Sequence, residues 1–383
     1  MKILQRRWTA VDNWQTVRDL LGDLKHRAQL VLIFGATELL KNPNLYKDLR
    51  EEFPIAEFVG CATAGEICGT ELLNDSITIT AVYFERSSIA SKAIFLDQYP
   101  HANLRAVAKE LVESLPQDDL VHVFVLSDGI EINGSVLVKG FREVLPDHVG
   151  ISGGLSGDYY RFKEAPVIAN VMACKNTVVV IGLYGRALRV MTASRAGWEE
   201  FGAEKQVTKS DGNTLYELDG ESALPLYERY LGDSFKDVPA SSIQYPISLK
   251  KKDGTDWITR TIININREAG SLVFAGDVPV GCTARLMKTD TELLVDSARK
   301  AAQDILKNSS YPELAILISC FGRRGAMLQD CSKEIEAINT VFGDETTLTG
   351  FYSYGEIAPF RDGREFELHN QTMTITAISE GAG

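Results

Sequence analysis

The sequence predicts an α/β (α+β) protein built as two mixed-sheet domains with helices packed on the sheets. Three observations predict it. An order of strand, amphipathic helix, glycine-rich turn and strand occurs three times. Helices alternate with strands along the whole chain, the pattern of layered sheets covered by helices. The length, 383 residues, suits about two domains.

The first repeat opens with the apolar run Leu30-Val31-Leu32-Ile33-Phe34. Asn42-Pro43 then offers an N-cap and a proline at N1. Leu45, Leu49 and Phe53 recur every four residues, so they share one helix face. The turn Gly60-Cys61-Ala62-Thr63-Ala64-Gly65-Glu66-Ile67 follows, and residues 77–84 alternate as a strand does. The second repeat opens with the strand 121–126. Its helix carries Leu137, Phe141 and Leu145 and stops at Pro146. Its turn runs from Gly150 to Gly157-Asp158, and 178–181 closes it. The third opens with 314–318. Asp330 is the expected cap of a helix with Cys331, Ile335, Ile338 and Phe342 on its apolar face and Gly343 as its stop. Its turn is Gly350-Phe351-Tyr352-Ser353-Tyr354-Gly355-Glu356-Ile357, closed by 372–378. The first and third turns share the form G-x-x-x-x-G-E-I.

Outside the repeats, strands are expected at 89–96, 187–192, 258–265 and 283–288. Helices are expected near 14–24, 104–111 and 291–307, the last opened by a capping box from Thr289 to Glu292. The polar stretch ending in Leu218-Asp219-Gly220 is the best boundary, giving domains at 1–220 and 221–383.

A net charge of −12 repels phosphate backbones and anionic lipid, which argues against nucleic acid or a membrane as partner. None of the six cysteines forms a C-x-x-C pair, so a thiolate zinc site has no support and buried, reduced thiols are expected. No apolar run is long enough for a signal peptide or a membrane span, and a cytoplasmic protein is the expectation.

No catalytic signature emerges. Ser127-Asp128-Gly129 is not a hydrolase elbow, and Gly60 to Gly65 is followed by Glu66 rather than the lysine of a phosphate loop. The acidic residues that follow the glycines, Glu66, Asp158 and Glu356, either cap loops or meet a polar ligand. Tyr352 and Tyr354 alternate in an extended segment, where they either line a pocket or plug a sheet edge. The histidines are His26, His101, His122, His148 and His369, with no pair at helical metal-ligand spacing. His122 lies in an apolar strand and reads as core. His369 and His148 are the two with ligand potential.

At these turns the sequence resembles the FIST family of sensory domains. Gly60 to Ile67 is similar to the family's N-terminal domain. Gly350 to Pro359 with His369-Asn370-Gln371-Thr372 is similar to its C-terminal domain, and Leu218-Asp219-Gly220 with 227–231 to the junction between them. The resemblance implies a non-enzymatic sensor of a small ligand that acts in trans on a histidine kinase or a cyclic-di-GMP enzyme. The unfused layout is similar to a NosP-like, haem-binding and nitric-oxide-sensing subgroup; an amino acid or other metabolite is the alternative ligand, and an enzyme built on the glycine turns is the rival class. The third turn and the 369–372 segment lie about a hairpin apart in sequence, so the ligand pocket is expected at Tyr352, Tyr354, Glu356, His369 and Asn370. The tyrosines offer an apolar face and a polar tip. If haem is the cofactor, the expected iron ligand is His369 first and His148 second.

Overall fold

The strands that begin each repeat are apolar on both faces because both faces are buried. Leu30–Gly35, Leu120–Ser127 and Leu314–Cys320 each form the centre of a six-stranded mixed sheet. In the computed structural model, which describes residues 1–99, 102–233, 243–250, 256–307, 310–360 and 365–381, each central strand has the same neighbours. A parallel strand follows a crossover helix: Glu57–Ala62, Gly150–Leu155 and Thr347–Ser353. An antiparallel strand lies on the other side: Ile77–Tyr83, Thr177–Tyr184 and Met373–Glu380. Outside that comes a further antiparallel strand: Lys2–Thr9, Ser88–Phe95 and Leu188–Arg195.

The three sheets interlock cyclically. After each glycine turn the chain crosses to a neighbouring sheet. Glu66–Cys68 of the first repeat pairs with Thr347–Ser353 of the third. Val167–Ala169 of the second pairs with Glu57–Ala62 of the first. Gly355–Pro359 of the third pairs with Gly150–Leu155 of the second. Three equivalent backbone bonds close the ring at the crossing point: Ala64 N–H to Tyr352 O (2.9 Å), Gly157 N–H to Ala62 O (2.9 Å) and Tyr354 N–H to Leu155 O (3.2 Å). The molecule therefore has an internal pseudo-threefold axis.

One apolar core, containing Phe34, Leu126, Ile318 and Phe351, is shared by all three sheets. Helices cover the outer faces. Pro43–Glu52 packs through Leu45 and Leu49, Gly134–Val144 through Leu137 and Phe141, and Ser332–Phe342 through Ile335 and Ile338. Asn42 accepts the Asn44 N–H and Asn133 the Val136 N–H, capping the first two. The glycine that begins each turn's inner segment is sterically required. A Cβ on Gly60, Gly153 or Gly350 would stand 1.7, 2.0 or 1.8 Å from a carbonyl oxygen of the adjacent central strand.

A fourth, nine-stranded sheet is inserted between Leu188–Arg195 and the helix Thr291–Leu306. It has its own core, including Leu215, Tyr227, Leu272 and Phe274. The boundary read near Gly220 falls inside this sheet, between Thr214–Leu218 and Glu221–Ser222. The three interlocked sheets draw strands from both sides of it.

Three local expectations are corrected. Residues 14–24 are no helix: Asn13–Asp19 is a strand paired with Lys2–Thr9, Trp8 facing Trp14, and a 3-10 turn at Gly22–Arg27 follows. Alternating aromatic and β-branched residues there favour a pleated edge. The third-repeat helix starts at Ser332, with Asp330 in a preceding 3-10 turn and no side-chain cap. The helix Thr291–Leu306 is capped by Asp290, whose carboxylate accepts the Leu293 N–H, while the Thr289 hydroxyl goes to Gly197 O. His101 lies outside the described residues.

Candidate functional site

The turns place two acidic residues in one repeated constellation. Glu66 accepts the hydroxyls of Thr63 (2.5 Å) and Ser76 (2.6 Å). Glu356 accepts the hydroxyl of Ser353 (2.6 Å) and both the N–H (3.1 Å) and hydroxyl (2.8 Å) of Thr372. Both are fully buried, and burial pushes each carboxyl up to about 7, with the hydroxyl bonds opposing the shift. The middle repeat differs. Asp158 stands one residue earlier and binds its own loop, accepting the N–H groups of Phe162, Lys163 and Glu164.

The residues expected to line a pocket are brought together, but inside the protein. Tyr352 is fully buried and donates to Glu334 (2.6 Å). Tyr354 is half-buried, donates to Asp158 (2.7 Å) and stacks on Phe162. His369 faces Glu356 across two antiparallel strands, yet its Nε2 is bonded to Ala358 O (3.1 Å), not to the carboxylate. Asn370 is fully buried, with its Nδ2 toward Tyr354 O and its Oδ1 without a partner among the described residues. Four of the five are thus 7% exposed or less.

The surroundings of His369 do not fit a haem. Burial holds the His369 imidazole neutral, with its pKa down at about 4, but the residue is 7% exposed and its ring packs edge-on against Phe360, leaving no open face for a macrocycle. An axial ligand needs a free nitrogen facing open space for the macrocycle. His148 is exposed at the start of Gly150–Leu155, whereas His369 lies beside its other end. His122 is core, as read, with its Nε2 bonded to Ser152 (2.7 Å).

A cleft of about 370 Å3 lies where the nine-stranded sheet meets the three-sheet body. That is within the size range of small-molecule sites, which favour such junctions. Helix Thr291–Leu306 supplies Leu293, Asp296, Ser297 and Lys300; the inserted sheet supplies Trp257, Thr259, Arg285 and Met287; the connection supplies Arg195 and Trp198. Beneath it, Arg323 is fully buried. It pairs with Glu334 (2.5 Å) and donates to Ser297 Oγ (3.2 Å), Leu294 O (2.9 Å) and Ala196 O (2.5 Å), fixing helix, connection and floor to one another.

Both charge signs stand in the cleft. Lys300 pairs with Asp296 (2.7 Å), and Arg285 pairs with Glu200 and Glu204. Arg285 lies over the Trp257 ring at 5.0 Å, and its buried Nε–H has no partner among the described residues. Trp198 donates its indole N–H to Gln371 O (3.0 Å), linking the cleft to the His369–Thr372 segment. Gln371 is fully buried at φ +63°, a conformation glutamine adopts only at a cost. Sequence reasoning missed this cleft. Its signal was two of the chain's four tryptophans standing in polar, strand-ending segments.

The fold and the site define a mixed α+β protein with a ligand-sized cleft at a sheet junction. The FIST N domain matches residues 29–221 and the FIST C domain residues 223–359, and the chain belongs to the FIST family, whose domains are associated with small-ligand sensing in signalling. It is also similar to Uncharacterized protein MJ1623 of Methanocaldococcus jannaschii, with 23% identity over 339 residues. That match covers 81% of this chain and 64% of the relative. Among the described residues no helix is long and apolar enough to cross a membrane.

Proposed function

We propose that this chain is a small-ligand sensor whose ligand occupies the cleft between the nine-stranded sheet and the three-sheet body. The observation that carries the reading is the lining. Two indoles, Met287 and Leu293 supply apolar surface, while Arg285, Lys300 and Asp296 supply both charge signs. That chemistry suits a small amphipathic zwitterion of amino-acid type better than haem. Ligand in the cleft bears on Trp198, and through its bond to Gln371 on the segment that holds Glu356. The family association favours output through a separate signalling protein, of the histidine-kinase or cyclic-di-GMP class.

The test is thermal denaturation against the twenty amino acids, with haem titration read at the Soret band as a second arm. One or more amino acids should raise the melting temperature of the natural chain, since binding to the folded state alone stabilises it. Trp257→Ala should abolish that rise while folding normally. A rise that survives Trp257→Ala removes the cleft as the site. A Soret band lost in His369→Ala establishes haem instead.

A further inference from the structure

Away from the cleft, one surface collects bulky side chains held in costly backbone conformations. Tyr159 (φ +64°), Phe162 (φ +49°) and Leu328 (φ +55°) all adopt positive φ, rare for large residues. All three point outward, at 42%, 53% and 69% exposure, and Tyr160 beside them is 51% exposed. Strain of this kind persists only where surrounding structure enforces it, and it clusters at functional surfaces.

The enforcement is visible. Asp158 holds the loop through the three N–H bonds described above, and Tyr354 donates to Asp158 and to Tyr159 O (2.7 Å). Phe321 underlies the rings of Tyr160 (4.6 Å), Tyr159 (5.9 Å) and Phe162 (6.0 Å). Arg324 lies 4.5 Å from the Tyr159 ring, is bonded to Ala64 O and donates to Asn74 (2.5 Å). Leu328 follows directly on the short helix Phe321–Met327, which carries Phe321 and Arg324, and its carbonyl accepts the Cys331 thiol. The rings are pre-positioned, so little side-chain entropy remains to be lost on contact.

Charge selects the occupant. Beside the rings stand Arg161 and Asp75, 49% and 83% exposed, 3.7 Å apart. A patch that carries both signs beside an apolar centre is complementary to itself. About a twofold axis Arg161 of one copy meets Asp75 of the other, and the reverse, as a closed isologous contact requires. Tyrosine, phenylalanine and arginine are also the residues enriched at interface centres.

We propose that the surface formed by Tyr159, Tyr160, Arg161, Phe162, Leu328 and Asp75 is a self-association site, through which two copies of this chain form a twofold dimer. Its six residues are far fewer than the roughly 20–30 a side of a standard stable interface. The dimer is therefore weak and concentration-dependent.

Sedimentation velocity from micromolar to near-millimolar protein tests this. The natural chain should shift from monomer to dimer across the range. Arg161→Asp and Asp75→Arg should each weaken association by about tenfold or more, because like charges then face each other twice. An equimolar mixture of the two variants should dimerise again, since each supplies the charge the other lacks, and the double variant should match the natural chain. Circular dichroism confirms that each variant is folded. A natural chain that stays monomeric throughout overturns the proposal, as do single variants that associate normally or a mixture that does not associate. Tyr160→Ser/Phe162→Ser should be monomeric at every concentration; normal dimerisation by that variant also overturns it.

Discussion

Glu356→Gln isolates the cost of a buried carboxylate at the crossing of the sheets. Burial raises the Glu356 carboxyl from 4.5 to about 7, against the opposing bonds from Ser353 and Thr372. At about 1.4 kcal/mol per unit, that shift corresponds to on the order of 3 kcal/mol between the two protonation states. The folded chain holds this proton to higher pH than the unfolded chain does. Between about 4.5 and 7 the folded state therefore binds more protons, and stability falls as pH rises through that window. Above about 7 the carboxylate is charged in both states and the full cost stands. Glutamine removes the titration while its amide can still serve the site: the oxygen accepts the two Thr372 donors, and the NH2 donates to a rotated Ser353 hydroxyl. Urea denaturation at half-unit steps from pH 5 to 8 should show the variant gaining on the natural chain by on the order of 3 kcal/mol as pH rises. A constant difference between the two across that range refutes the reasoning, because the carboxyl would then titrate as an ordinary exposed one.

Glu334→Gln leaves fully buried Arg323 without its counter-charge and should cost about 3–5 kcal/mol in urea denaturation. Gly350→Ala drives a Cβ to 1.8 Å from Leu317 O, a backbone clash that neither strand can relieve, so this variant should not yield soluble folded protein, whereas Gly212→Ala, with nothing within 4 Å and only a positive φ, should cost about 1 kcal/mol. Asp158→Ala removes the acceptor of three loop N–H groups and the Tyr354 hydroxyl, and trypsin should then cut after Arg161 or Lys163 several-fold faster, as local opening becomes easier.

What the sequence made legible were features whose cause is local. The central strands read as strands because burial on both faces demands unbroken apolar runs. The crossover helices read as helices because Asn42 and Asn133 cap them and one face is apolar. The repeat was legible as well, because each turn needs its glycine where two parallel strands approach too closely for a Cβ. The exchange of strands between repeats was not, since Glu66–Cys68 and Val167–Ala169 are three residues long and carry no period.

The site divides along the same line. The motif residues were conspicuous in sequence because burial at a crossing point restricts their chemistry. Glu356 needs Ser353 and Thr372 around it, and Tyr352 needs Glu334. Conspicuousness of that kind marks structural constraint as readily as contact with a ligand. The cleft has the opposite character. Trp198, Trp257 and Lys300 each satisfy ordinary surface chemistry in their own segments, and only the insertion of a whole sheet between Leu188–Arg195 and Thr291–Leu306 brings them face to face. The bond from Trp198 to Gln371 joins the two kinds of residue.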